Sequence, residues 1–597
     1  MTEATTIPPS TMPRIAPDVY YQVAMYEPES HLFDIMLKVR GWRASVLDLK
    51  MPVWTPGSYL VREYAKHLQE FSAEDANEIA LPWRKLSKNH WQIETSELSE
   101  IIVRYRIYAN ELSVRTNHLD STHGYFNGAA LFFYIPGFEK SPLSIQIIPP
   151  KPEWRVTTSL PSKSGRPHTF TAPDFDTLVD SPFEIGTHQS YYFEVEHKPH
   201  ELAIWGQGNL QAERLISDIE KIIETESRLF GGLPYDRYLF ILHLSSQGYG
   251  GLEHKNSCSL NYPRFGFRNT EKYNRFIQLV AHEFFHLWNV KRIRPKPLEV
   301  FNYEGETYTT SLWFCEGTTS YYDILLPLWA GIYEAKVALQ GFSKDITRLQ
   351  TLPGRRYQPL SESSWDAWIK LYRRDTNSDN SQISYYLKGE LVSLLLDLRI
   401  RANSGNGRSL DQVMQQMWQR FGSQEIGFSD EELKEIIESV AEEDLTDFFN
   451  DYIHGTAELP LDEYLLPFGL KVQPVENGDA APFLGLTVKT ENGRAVIKFV
   501  EMGSPAQRAG IDADDELLAI DGMRVTAEDL GDRLKDYQTG SKIQITVFHQ
   551  EQLRTVEAVL TQPRPTTYNI VPIQNPTATQ QSNLKGWLGS SATQLKG

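Results

Sequence analysis

Between residues 19 and 193 the apolar and polar positions alternate. Phe33, Ile35, Leu37 and Val39 alternate with Asp34, Met36 and Lys38, and Ile101, Val103, Tyr105 and Ile107 with Arg104 and Arg106. A period of two predicts strands with one face on a core. Breaks such as Pro52, Pro56-Gly57, Pro136-Gly137 and Pro149-Pro150 punctuate them, and no long helical pattern intervenes, so a β-sandwich is expected. Near residue 210 the period lengthens. Leu215, Ile216, Ile219, Ile222, Ile223, Leu229 and Phe230 mark one face of a helix stopped by Gly231-Gly232, and a strand-like run follows at 238–244. Helical patterns then dominate to about residue 454, over 276–290, 316–326, 384–401, 410–421, 430–440 and 445–453. They predict a mostly helical domain with a small sheet at its start.

Residues 474–482 are polar and breaker-rich, as a linker is. A second β-rich unit follows, with strands expected at 486–490, 495–500, 516–520, 543–548 and 555–560 and short helices near Ala506 and Asp529. The expected organisation is therefore multidomain α+β. It has a disordered N-terminus (1–18), a β-sandwich (19–195), a mostly helical domain (196–473), the linker, a small β unit (483–562) and a polar tail (563–597) with one apolar island at Leu584 and Trp587.

Composition narrows the function classes. A chain of 597 residues with 41% hydrophobic and 12% aromatic positions folds into several domains and is not disordered. A net charge of −18 opposes nucleic acid and acidic lipid as partners. Cys258 and Cys315 cannot build a disulfide framework and are expected to stay reduced; Cys315 points away from any ligand beside it. No apolar run of about eighteen residues spans a membrane, and the N-terminus lacks the basic and apolar segments of a signal peptide. A soluble cytoplasmic protein is expected.

The sharpest chemical signal is His282-Glu283-Phe284-Phe285-His286. On a helix, side chains four apart share a face, so two imidazoles can grip one metal while Glu283 stands beside them as a general base. The apolar-periodic surroundings Phe276, Leu279, Val280, Phe284 and Leu287 support a helix there. A catalytic zinc usually takes a third protein ligand. Glu316, within Trp313-Phe-Cys-Glu-Gly317, opens a buried, aromatic-flanked helix, an odd place for a solvated charge and a suitable one for a ligand. Asp323, two turns on, could steady a ligand histidine or be a surface charge.

Together with Gly250-Gly-Leu-Glu-His254 and Ser384-Tyr-Tyr-Leu-Lys-Gly389, these motifs stand in the order seen in gluzincin aminopeptidases. The wording His-Glu-Phe-Phe-His-Leu-Trp-Asn-Val-Lys-Arg-Ile-Arg-Pro, with a PDZ-like C-terminal unit, resembles the PDZ-containing glycyl aminopeptidase family over about residues 19–560. The resemblance implies a thermolysin-like catalytic domain and one Zn²⁺ per chain on His282, His286 and Glu316, with Glu283 as general base. It also implies that Glu253, with Gly250 and Gly251, receives the substrate α-amine, and that Tyr386 donates to the developing oxyanion, with Tyr385 as its neighbouring rival. Leu252 and His254 stand where the larger aminopeptidases carry Met and Asn, which leaves His254 without an inherited role.

Phe483-Leu-Gly-Leu486, with Gly503-Ser-Pro-Ala-Gln-Arg-Ala-Gly-Ile511, resembles a bacterial-type PDZ domain. Leu484, Gly485 and Leu486 are its candidate peptide-binding residues: loop N–H groups can take a carboxylate, and the following strand offers an edge. The alternative is a PDZ that only packs on its own chain. No proposed ligand lies beyond residue 474, so this unit is expected to be separable from the peptidase. The expected activity is removal of small N-terminal residues, Gly and Ala, from peptides with a free N-terminus. A zinc endopeptidase with PDZ-presented substrates and an inactive PDZ scaffold are the alternatives; intact Glu283 and Tyr386 argue against the scaffold.

Overall fold

In the computed structural model the chain divides into two compact units, and residues 16–96, 98–475, 480–590 and 595 are described. The first unit is Met1–Tyr308 with Phe421–Gly427. A six-stranded sheet runs in the order Thr169–Ala172, Leu143–Ile148, Asp18–Ala24, Leu32–Arg40, Glu100–Tyr108 and Leu68–Asp75. The alternation read from sequence sets its faces: Phe33, Ile35, Leu37 and Val39 are buried, while Asp34, Met36 and Lys38 are half-buried. A three-stranded sheet (Val46–Lys50, Trp83–Ser87 and His90–Glu94) and a four-stranded sheet deliver Leu49, Trp91, Phe126 and Phe183 to the same core, so the domain is the expected sandwich.

The unit's other layer is a five-stranded sheet in the order Gln189–Val195, Lys198–Trp205, Tyr238–Ser245, Ser257–Pro263 and Gly250–Glu253. Its central strand, Tyr238–Ser245, is buried at every position, the continuous run expected of a strand with parallel neighbours on both sides. The first strand lies within the span assigned above to the sandwich. It belongs to this second sheet because Glu196 and His197, both at positive φ (49° and 61°), close a two-residue hairpin onto Lys198–Trp205. Helices Ala212–Phe230 and Thr270–Phe285 pack on this layer.

The second unit is Thr309–Arg420 with Phe428–Gly597. Its helical part centres on the long, largely buried helix Tyr385–Ser404. The PDZ-like sheet, in the order Leu486–Glu491, Arg494–Val500, Glu516–Ile520, Lys542–His549 and Gln552–Val559, has its own core around Ile497, Ile520, Ile543 and Ile545. The segment read as a tail returns to the helical part. Tyr568–Pro572 pairs antiparallel with Leu470–Pro474, and a helix at Ala578–Leu588 starts with a reciprocal cap between Thr577 and Gln580. That helix buries Trp587, whose Nε1 donates to the Tyr321 hydroxyl at 3.1 Å. The C-terminal region is thus anchored at both ends of the PDZ unit, which differs from the separable module expected. Residues 1–15 of the expected disordered N-terminus and 476–479 of the expected linker lie outside the described residues; Asp18 opens the first strand. Among the described residues no helix is long and apolar enough to cross a membrane.

Candidate active site

The helix Thr270–Phe285 begins at Asn269, whose side chain accepts from the Lys272 N–H. Its apolar face seats Phe284 against Tyr238 and Phe240 of the sheet, at ring separations of 4.9 and 5.8 Å. Helical spacing turns His282 away from that face, while Glu283 lies over the sheet's edge strand. The His282 and His286 rings lie 4.6 Å apart, edge to face. His286 caps the helix C-terminus rather than continuing it to residue 290, because the chain turns there and brings the Asn289 carbonyl to 2.6 Å from His286 Nδ1. A carbonyl only accepts, so the proton sits on Nδ1 and the lone pair on Nε2, the state a metal ligand needs.

The edge strand Gly250–Glu253 explains the two glycines of its motif's neighbourhood. A Cβ on Gly251 would stand 2.2 Å from the Glu283 carboxylate carbon, so only glycine lets the general-base candidate lie on this strand. A Cβ on Gly57, in the sandwich's Trp54–Tyr59 loop, would stand 2.5 Å from Glu253 Oε1. Arg115 donates to the Gly251 carbonyl at 3.2 Å and steadies the strand. Ligand-type atoms of Glu253, Glu283 and His286 lie within 4.8 Å of one another.

Glu253 is 3% exposed and its Oε1 has no hydrogen-bond partner. A buried carboxylate oxygen left so costs several kcal/mol unless a cation or donor arrives. The cations lining the same small cavity are committed elsewhere, Lys291 to Asp180 at 2.6 Å and Arg294 toward Glu425 at 4.0 Å. His254 also has a structural place: its Nδ1 lies 3.2 Å from Asp180. Burial alone would raise Asp180, but the Lys291 charge and the His254 hydrogen bond hold it well below the usual carboxylate range.

One functional candidate escaped the sequence reading. Glu226, in the helix Ala212–Phe230, is fully buried with neither carboxylate oxygen hydrogen-bonded. Burial raises its pKa well above the usual value, and the charge that opposes this is on His282. Its signal was available: Glu226 falls three and four residues after Ile223 and Ile222, a charge on the apolar face of the helix.

In the second unit, Glu316 sits 1% exposed in the π-helical turn Trp313–Thr318. The turn crosses the helix Tyr385–Ser404 at a glycine pair. A Cβ on Gly317 would meet Gly389 Cα at 2.5 Å, and one on Gly389 would meet the Trp313 carbonyl oxygen at 2.7 Å. The Glu-Gly and Tyr-x-Lys-Gly motifs therefore meet through their glycines. Tyr386 is half-buried, its hydroxyl 3.2 Å from that of Tyr372. Burial first, and the Glu316 charge next, raise its pKa well above that of a free tyrosine. Tyr385 is fully buried, 3.5 Å from the same Tyr372 hydroxyl. Asp323 acts on other acids: with burial, its charge pushes Asp345 up to about 6, and with Asp345 it raises the buried Glu390. In the PDZ unit, Leu484 is buried, Gly485 takes φ +85°, and Leu486 starts the edge strand. Both cysteines are buried and neither forms a disulfide.

A His-Glu-x-x-His helix laid against the edge strand of a mixed sheet is the framework of a zinc metallopeptidase, and this chain is such a hydrolase. Residues 20–187 match the Peptidase M61 N-terminal domain, 275–392 the M61 glycyl aminopeptidase domain and 482–560 the PDZ domain. The chain belongs to the M61 glycyl aminopeptidase family. Among solved structures it is similar to the aminopeptidase N family protein from Idiomarina loihiensis, with 32% identity and a TM-score of 0.90 over 96% of this chain and 100% of that one. It is also similar to the M1 zinc metallopeptidase from Deinococcus radiodurans, with 13% identity and a TM-score of 0.47 over 76% of this chain and 98% of that one. No curated protein matches it.

Proposed function

We propose that this chain is an aminopeptidase that removes small N-terminal residues, glycine and alanine first, from peptides with a free N-terminus in the cytoplasm. The observation that carries the reading is the buried, unpartnered oxygen of Glu253 beside Glu283 and His286. A substrate α-ammonium is the cation such an oxygen needs. Anchored there, it makes the first peptide bond the one presented to Glu283, which is exopeptidase geometry.

The donors suit zinc: His286 presents a lone pair on Nε2, His282 stands one turn away, and Glu316 adds a buried carboxylate. One ion per chain on His282, His286 and Glu316 would supply Lewis acidity toward the scissile carbonyl. Glu283 takes the proton of the attacking water and passes it to the departing amine. Tyr386 donates to the carbonyl oxygen as negative charge develops; burial and Glu316 keep its hydroxyl protonated at neutral pH. The preference for small residues is supported by the cavity beside Glu253. It holds about 10 Å³, the room of one water, and is walled by Trp54, Gly57, Tyr59 and Phe301. A hydrogen or a methyl group suits it better than a larger side chain.

Metal analysis tests the ligand set. The protein should hold about one zinc per chain, His282→Ala and Glu316→Ala should lose it, and Glu283→Gln should keep it while kcat falls by orders of magnitude. Full occupancy in Glu316→Ala would remove Glu316 from the set.

A further inference from the structure

The run Asn289-Val-Lys-Arg-Ile-Arg-Pro295, which follows the His-Glu-x-x-His helix, carries three cations that the zinc chemistry leaves unused. Arg292 is structural: its guanidinium donates to the Lys255, Leu287 and Pro234 carbonyls at 2.9, 2.8 and 3.0 Å. Lys291 and Arg294 instead reach the small cavity that Glu253 lines. Lys291 is 7% exposed, so its ammonium, like the Glu253 carboxylate, is a buried charge in need of a partner. Left to themselves the two would pair across this cavity, and the lysine would take the place of a substrate α-ammonium.

Asp180 prevents that pairing. It follows the short helix Phe175–Val179 of the sandwich and faces the end of the edge strand Gly250–Glu253. Its Oδ1 accepts from Lys291 Nζ at 2.6 Å and from His254 Nδ1 at 3.2 Å, and its Oδ2 accepts from the Lys255 N–H at 2.7 Å. A carboxylate held well below its usual pKa only accepts, so the His254 proton sits on Nδ1. The two residues that follow Glu253 are thus tied to the same carboxylate that holds Lys291. Arg294 has its own acid: it is drawn toward Glu425, which also pairs with Lys255 Nζ at 2.6 Å.

We propose that Asp180 is a positioning residue for substrate binding, which keeps the α-ammonium site at Glu253 open by holding Lys291 away from it. The proposal rests on the reading that Glu253 receives the α-ammonium. Without the Asp180 charge, Lys291 turns on its flexible four-carbon stem to Glu253 and becomes an internal competitor of the substrate. Such competition raises KM by the inverse of the fraction of molecules whose site is open. It leaves kcat alone, because a seated substrate has already displaced the lysine. A Lys291–Glu253 pair formed in about nine molecules of ten would raise KM about tenfold.

The test is a double-mutant cycle on Asp180 and Lys291 in the zinc-loaded full-length protein, with Gly-p-nitroanilide as substrate. Asp180→Asn keeps an oxygen for the Lys255 N–H and removes the charge; it should raise KM at least about fivefold, with kcat within about twofold of the parent. In a Lys291→Met background no cation remains to be held, and the same substitution should change KM less than about twofold. A role confined to supporting the Glu253 strand would leave the defect in both backgrounds. Asp180→Ser also removes the charge and carries the same expectations if Asp180→Asn melts well below the parent. The parent is assayed alongside with N-acetyl-Gly-p-nitroanilide. Equal cleavage of the free and acetylated substrates overturns the Glu253 reading and this proposal with it. With the free substrate preferred, a smaller rise in KM, a loss that falls on kcat, or a rise that persists in Lys291→Met overturns the Asp180 proposal alone.

Discussion

The crossing of Gly317 and Gly389 makes a quantitative prediction. In Gly317→Ala the new Cβ would lie 2.5 Å from both the Cα and the carbonyl carbon of Gly389 and 2.8 Å from Glu390 N, where ordinary contact begins at 3.4 Å. Backbone atoms cannot rotate aside, so the turn carrying Glu316 and the helix carrying Tyr386 must part by about 0.9 Å. Overpacking of this kind costs about 1–3 kcal/mol, and replacing glycine inside a helix returns up to about 1 kcal/mol, so stability changes little. Catalysis should change far more, because a misplacement near 1 Å can cost about 100-fold in rate. Steady-state hydrolysis of Gly-p-nitroanilide should therefore show kcat lower by about 10²-fold, with a melting temperature within a few degrees of the parent. A kcat within twofold of the parent would refute the claim that this crossing sets Tyr386 and Glu316 in register.

Tyr386→Phe should retain zinc and lose about 10²–10³-fold in kcat, the scale of one oxyanion donor, whereas Tyr385→Phe should lose little; the opposite order would move the donor by one residue. Trp587→Ala removes a fully buried ring and its bond to Tyr321, and should cost about 3–5 kcal/mol, lowering the melting temperature by roughly 8–15 °C in differential scanning fluorimetry. A change below about 2 °C would show that the C-terminal helix is not part of the helical core.

Much of this was legible in the sequence because it is local. The i, i+4 histidines, the period-two strands around Phe33 and Ile101, and the PDZ strands each depend on spacing within one element. What stayed hidden depends on partners far along the chain. Glu253 is shaped by Gly57, almost two hundred residues earlier, and the Glu316 turn by Gly389. The helix Ala578–Leu588 reads as polar because it buries chiefly Leu584, Trp587 and Leu588, and its docking surface around Tyr321 lies over 250 residues upstream. Gln189–Val195 alternates like the sandwich strands before it, so the period could not say which sheet it joins; the Glu196-His197 hairpin decided that. Glu226 is a charge among the apolar positions of its helix, and spacing alone does not distinguish a buried carboxylate from a solvated one.

The central claim is that Glu253 anchors a free N-terminus, and N-acetylation tests it most directly. The measurement is kcat/KM for Gly-p-nitroanilide against N-acetyl-Gly-p-nitroanilide, in the parent and in Glu253→Ala. Removing the ammonium leaves a buried carboxylate unpaired, a penalty of roughly 2–5 kcal/mol, so the acetylated substrate should be slower by about 30-fold or more. Glu253→Ala should erase most of that difference by lowering activity on the free substrate. Comparable cleavage of both substrates by the parent protein would contradict the account and indicate an endopeptidase.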